Sequence, residues 1–232
     1  MFSLNKILHL TVCIYLLFRV DFLQAKGSSS NKFYFEPFLK IDYQVWQNDQ
    51  LEQANDGNYT YKFRGLYYGP RFGAKVLGIY KSWLVYGFQG SYSYLFNVYS
   101  PDQGLTQEAK ADDNFNTDST SSQIQFGVLA GVQLNRFGIK LNYFPSSTIQ
   151  NNDKYTTFNS TNLTNSYEGS GFGASISYVY RPKFNLYFEY QAFTYDTFII
   201  DDNEYKLPTT SGSMTFKEFT TTKYSFGISM IF

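Results

Sequence analysis

Apolar and polar positions alternate with period two along eight separate stretches of this chain. In the first, Phe33, Phe35, Pro37, Leu39, Ile41, Tyr43 and Val45 share one parity. Tyr34, Glu36, Phe38, Lys40, Asp42, Gln44 and Trp46 share the other. Period two sends successive side chains to opposite faces of a strand, so this run predicts a strand well beyond the usual length of about five or six residues. The second stretch sets Leu66, Tyr68, Pro70, Phe72, Ala74 and Val76 against Arg71, Lys75, Gly69 and Gly73. The third sets Leu84, Tyr86, Phe88, Tyr92, Tyr94 and Phe96 against Gly87, Gln89, Ser91 and Ser93. Five more follow: Ile124 to Leu134, Ile139 to Tyr143, Phe172 to Tyr180, Phe184 to Tyr190, and the final "YSFGISMIF".

The segments between these stretches alternate long and short. "QNDQLEQANDGN" follows the first stretch and reads as a polar loop. Further long loops run from about Asn97 to Ser121, through an Asn- and Thr-rich segment to about Glu168, and over "DDNEYKLPTTSGS". Short connections, such as "NRFG" and "RPK", separate the other pairs. One face of each stretch carries bulky apolar and aromatic residues. The other carries Gly, Ser, Gln and charges of both signs. Such strands suit a barrel with lipid outside and a narrow polar interior. Closure would also pair every backbone group, which an open sheet in lipid could not do. The expected fold is therefore all-β: an eight-stranded antiparallel transmembrane barrel, wound as an up-and-down meander, with long outer loops and short periplasmic turns.

Composition sharpens this picture. Aromatic residues make up 21% of the 232 residues, yet mean hydropathy is −0.32, which excludes a greasy helical bundle. Tyr and Trp suit strands and membrane–water interfaces alike. A formal net charge of 0 lacks the basic excess of a nucleic-acid-binding surface. Near the N-terminus, Lys6 precedes the apolar run "ILHLTVCIYLLF", and Ala25 offers a small residue for cleavage. The segment reads as a secretory signal peptide over 1–25, with 26–232 as the barrel domain. The competing reading is an uncleaved anchor. Cleavage after Ala25 removes His9 and Cys13, the chain's only histidine and cysteine. It also removes Lys6, Arg19 and Asp21, leaving a net charge of −1. Disulfide, thiolate and imidazole chemistry are then all excluded from the mature chain.

The terminal "YSFGISMIF" places Tyr224, Phe226, Ile228, Met230 and Phe232 on one face and ends on an aromatic residue. With the eight stretches, it resembles the small eight-stranded outer-membrane barrels of Gram-negative bacteria, the OmpA-like and OmpX-like group. The resemblance implies that these five residues form the C-terminal signal read by the barrel assembly machinery. It further implies a cell outer-membrane location, contact with outer-membrane lipid and lipopolysaccharide, and pairing of the last strand with the first. No OmpA-type periplasmic domain is expected after the barrel. The soluble alternative is a lipocalin-like barrel or β-sandwich, which would turn Arg71, Lys75, Glu36 and Glu189 outward around an aromatic core.

Inward-facing charges form the remaining candidates. Pairing the first two stretches around the first loop sets Glu36 near Arg71, and the third brings Gln89 beside them. Closing the barrel brings Lys223 near Asp42, with Glu189 at a similar height. Two lumen clusters are therefore expected, Glu36–Arg71–Gln89 and Asp42–Lys223–Glu189. The plain reading is a structural plug, because buried charges must be paired. The sharper one is a gated polar path, for which Gly87, Gly127, Gly131, Gly171, Gly173 and Ser175 would leave room. The enzymes of similar barrels use a histidine base, so the resemblance implies no catalysis here, and no catalytic residue is assigned. Ser225 and Lys223 are a weak dyad. The acidic runs "ADDNFNTD" and "DDNE" do not have calcium-loop spacing, so no metal or cofactor is expected. The sequons at Asn58, Asn159 and Asn162 read as polar loop. The leading expectation for function is a non-enzymatic surface barrel, structural or adhesion-type. Its loops, above all the one bearing Asp112, Asp113 and Asp118, would contact an extracellular ligand. The alternative is a narrow, porin-like channel for small solutes.

Overall fold

The computed structural model describes residues 32–54, 57–80, 83–99, 118–154, 162–200, 203–211 and 214–232. The signal segment, Asp112, Asp113 and Asn159 lie outside the described residues.

Alternation produces strands throughout: β1 (Lys32–Ala54), β2 (Gly57–Tyr80), β3 (Leu84–Tyr99), β4 (Asp118–Leu134), β5 (Phe137–Lys154), β6 (Asn162–Arg181), β7 (Phe184–Ile200), β8 (Asn203–Lys206), β9 (Thr209–Ser211) and β10 (Met214–Met230). Eight of them, β1 to β7 and β10, are the staves of a closed antiparallel barrel. Each pairs with its sequence neighbour, and β10 pairs with β7 on one side and β1 on the other. The edge is sealed to its last residue: Phe232 N donates to Phe35 O at 2.9 Å, and Ile231 N donates to Lys183 O at 2.8 Å.

The expected parity is observed. Leu39, Ile41, Phe72, Val76, Phe88, Phe126, Leu141, Ile176, Phe188, Phe226 and Ile228 are exposed, whereas Glu36, Lys40, Asp42, Arg71, Lys75 and Glu189 are buried. This polarity is the inverse of a lipocalin's. Aromatic rings border the exposed aliphatic band. At the turn end stand Phe33, Tyr80, Trp83, Phe137, Tyr180, Phe184 and Phe232. At the loop end, Tyr68 meets Phe96 at 5.9 Å, Tyr143 meets Phe172 at 4.9 Å, and Tyr190 meets Tyr224 at 5.4 Å. From Phe33 to Tyr43 the strand rises about 33 Å at ~3.3 Å per residue. Tilted by roughly 40°, that is about 25 Å of height, the thickness of a barrel's apolar band.

Two tight turns at the turn end use left-handed residues. Asn135 has φ 54° and Lys183 has φ 77°. Pro182 followed by Lys183 is the type II order, whose third position favours glycine.

The loop end differs from expectation. "QNDQLEQANDGN" is strand, not loop. β1 and β2 pair without interruption to Ala54 opposite Gly57, so only residues 55–56 connect them. Asn-Asp-Gly is a hairpin-turn composition, and the backbone before it continues the β1 ladder. β7 likewise runs past Tyr190 to Ile200, β5 reaches Lys154, and β8 and β9 occupy the last connection. Asp118 opens β4 opposite Lys154 instead of lying in a loop. The wall of β1, β2, β5, β6, β7 and β10 thus rises some ten residues above the upper aromatic ring.

Apolar side chains cluster in the lumen at both ends. Leu77, Val85 and Leu129 form a small cluster at the turn end. Trp46, Tyr67, Leu95, Phe144, Ile149, Phe193, Tyr195 and Phe219 form a larger one at the loop end.

Candidate functional site

Between the two apolar clusters, inward residues of β1, β2, β3, β4, β5, β7 and β10 build a buried ion network. Glu189 on β7 is its hub. Its Oε2 accepts from Lys40 Nζ and from Arg71 Nη2, each at 2.5 Å, and its Oε1 accepts from Asn142 Nδ2 at 3.1 Å. Arg71 spreads across the barrel. Nη1 donates to Gln191 at 3.0 Å and Gln125 at 3.3 Å, and Nη2 also donates to Ser225 at 2.8 Å. Its Nε lies 3.1 Å from Asp42 Oδ1, an ion contact without hydrogen-bond alignment. Asp42 Oδ2 accepts from Ser93 at 2.9 Å and pairs with Lys223 at 3.1 Å. Lys223 donates onward to Gln123, whose Nε2 donates to Tyr195 at 2.7 Å and Ser147 at 3.0 Å. Nearer the turns, Lys75 pairs with Glu36 at 3.4 Å, and Tyr187 donates its proton to Glu36.

The two expected clusters are redistributed. Glu36 faces Lys75 and not Arg71, whose Cα partner is Lys40. Gln89 likewise lies opposite Lys75, while Arg71 lies opposite Ser93. Both displacements are four residues. In β1–β2, treating residues 47–58 as a loop moves the hairpin centre, and register follows the turn; in β2–β3 the register is set separately, by the turn between Tyr80 and Leu84. In the second group, Asp42 and Lys223 do meet. Glu189 does not join them: it lies opposite Ser225, and Gln191 lies opposite Lys223. The expected set also omits Lys40, Lys140 and Tyr187. All three lie on inward parity within their strands, which is the signal that marks them. Aromatic faces help hold the cations, with Lys75 Nζ 4.0 Å from the Tyr187 ring centre and Lys40 Nζ 4.6 Å from that of Phe38.

The interior glycines do not leave an open path. A Cβ at Gly127 would sit 2.7 Å from Phe144 Cδ1, and one at Gly171 would sit 2.3 Å from Phe193 Cδ1. Both glycines are seats for rings of the loop-end cluster. In that cluster Trp46 stacks on Tyr67 at 4.1 Å and meets Phe219 edge-on at 5.1 Å. Ser225 is bonded to Arg71, not poised beside Lys223. Outside the band, Lys206 on β8 donates to Thr197 at 2.7 Å and pairs with Glu204 at 3.0 Å, and the Glu204 hydrogen bond raises its pKa.

An eight-stave meander with a lipid-facing apolar belt, aromatic borders and a polar, side-chain-filled lumen has the fold of the small outer-membrane β-barrels. Comparison with solved structures agrees. The barrel is similar to that of Neisserial surface protein A (NspA), with a TM-score of 0.53 and 14% identity over 89% of this chain and 100% of that one. It also aligns with Ail, the attachment invasion locus protein of Yersinia pestis, at a TM-score of 0.42 and 12% identity, covering 85% and 98% of the two chains. The outer membrane protease OmpT of Escherichia coli aligns at 0.42 and 9% identity, covering 90% and 99%. No family model and no curated protein matches the sequence.

Proposed function

We propose that this chain is a non-catalytic outer-membrane barrel, exported by its signal segment, that acts at the cell surface through its loop end. One observation carries the reading: the lumen is closed while the wall is prolonged. Arg71 reaches residues of β4, β7, β10 and, through Asp42, β1, so it bars the middle. The Trp46–Tyr67–Phe219 group bars the loop end. Beyond the upper aromatic ring, β1, β2, β5, β6, β7 and β10 continue for about ten residues. A rigid scaffold holding exposed loops is the usual arrangement for recognition. The partners in this reading are lipopolysaccharide beside the wall and an extracellular ligand on the connections. The assembly machinery would read Tyr224, Phe226, Ile228, Met230 and Phe232 during insertion. The narrow-channel alternative requires the network and the aromatic group to move aside.

Two measurements test this. The refolded protein in a planar bilayer is expected to give no discrete conductance steps, with insertion verified separately. Shortening the connections at 100–117 and 201–213 is expected to abolish adhesion to host cells or matrix while leaving the barrel folded. Discrete steps in the parent, altered by Arg71→Ala, would instead establish the channel.

A further inference from the structure

Among the described residues, the lumen buries five cations, Lys40, Arg71, Lys75, Lys140 and Lys223, against three carboxylates, Glu36, Asp42 and Glu189. That is an excess of two positive charges inside a membrane-embedded barrel, where an uncompensated ion is costly. One of these two charges can be localised. Asp42 serves Arg71 and Lys223, Glu189 serves Lys40 and Arg71, and Glu36 serves Lys75. Lys140 remains. Its side chain is 3% exposed, and its only hydrogen-bond acceptor among the described residues is the Tyr187 hydroxyl at 3.2 Å. That hydroxyl also accepts from Asn185 at 3.2 Å and gives its own proton to Glu36. An ammonium has three protons to donate, so one acceptor leaves Lys140 under-satisfied, and it forms no ion pair of its own, sharing the charge of Glu36 with Lys75.

It does not lack space. A cavity of about 200 Å³ lies beside Lys140 at the turn end, far above the ~10–15 Å³ that one water requires. Leu77, Ile79 and Val85 form its hydrocarbon wall, and Lys140, Asn185 and Gln133 supply polar groups. Asn135 and Ile231 border it where the chain leaves the barrel, so the cavity faces the turn side. Glu36, the one carboxylate on its wall, is already engaged by Lys75 and Tyr187. A metal cation would worsen the imbalance, and an uncharged guest would not relieve it. A compact anion would do so, and would give the Lys140 ammonium an acceptor.

We infer that the turn-end cavity is a binding site for a small monovalent anion, a halide or a short carboxylate, held by Lys140 and entered from the turn side. The inference rests on the turn-end cavity and its lysine, so it stands or falls independently of what the loop end recognises.

Bromide is the probe. Crystals of the purified protein are soaked in sodium bromide, and data are collected at the bromine absorption edge. The expected result is an anomalous peak in the cavity within hydrogen-bond reach of Lys140 Nζ, which butyrate in the soak removes if carboxylates share the site. Bromide peaks elsewhere on the molecule with none in this cavity would overturn the inference. In solution, the unfolding midpoint of the parent is expected to rise with bromide at constant ionic strength. Lys140→Met is expected to be at least as stable as the anion-free parent and indifferent to bromide. A Lys140→Met variant that responds to bromide as the parent does would also overturn it. If that variant fails to fold, the anomalous peak in the parent still decides.

Discussion

Replacing Glu189 by glutamine tests whether the lumen is an ion network or merely a set of packed polar side chains. The change is nearly isosteric and keeps an acceptor oxygen for Asn142. It removes the charge that faces Lys40 and Arg71, both at 2.5 Å and both essentially fully buried. At an effective dielectric of about 20, each contact carries roughly 6–7 kcal/mol of Coulomb attraction, most of which offsets the desolvation of the ions. Removing one member of such a group leaves the others uncompensated, a loss of about 3–5 kcal/mol. That is roughly a hundred- to several-thousand-fold change in the folding equilibrium. Urea titration of the barrel in detergent micelles or lipid vesicles, followed by tryptophan fluorescence and by gel mobility without boiling, would read it. The control is Glu189→Gln with Lys40→Met, which restores the balance of charge and is expected to recover most of the loss. A single variant within about 1 kcal/mol of the parent would refute the argument. So would a double variant no better than the single one.

Other expectations concern the plug, the turns and the closure. Gly171→Ala places a methyl 2.3 Å from the Phe193 ring and 2.5 Å from Ala192 O, so a loss of about 1–3 kcal/mol is expected in the same titration. Lys183→Gly removes a left-handed lysine after Pro182 and is expected to stabilise the barrel by up to about 1 kcal/mol, read as a higher urea midpoint. Deleting Phe232 removes its backbone bond to Phe35 and is expected to lower insertion in cells more than spontaneous refolding into detergent, measured by membrane fractionation against gel mobility. Lys206→Ala is expected to leave the urea midpoint unchanged, because the Lys206–Glu204 pair is 73% and 58% exposed.

Inward and outward parity was legible in the eight staves β1 to β7 and β10, because lipid and lumen impose opposite demands on alternate residues and a one-residue slip would reverse both. The short turn-end connections were legible in Gly, Pro and Asn content, but of the expected long ones the first is only residues 55–56. Height was not. Outside lipid a strand needs no apolar face, so "QNDQLEQANDGN" carries no period-two signal, although its backbone continues the ladder to Ala54. Mistaking it for a loop shifted the hairpin centre and moved Glu36 from Lys75 to Arg71. The partners of Glu189 were hidden for a different reason. Lys40 and Arg71 reach it across the barrel from β1 and β2. Strand pairing predicts neighbours along the wall but not chords across the lumen. The glycine seats of Phe144 and Phe193 are invisible for the same reason: a small residue reads as empty space until the ring that fills it is known.

The prolonged wall has an evolutionary consequence. The ladders are complete before residues 100–117 and 155–161 begin, and the aromatic cluster is packed within the barrel. Doubling the length of such a connection adds only about 0.6 kcal/mol of closure entropy. Those segments can therefore change, residue by residue or by insertion, while the barrel that carries them keeps its ladders and its core.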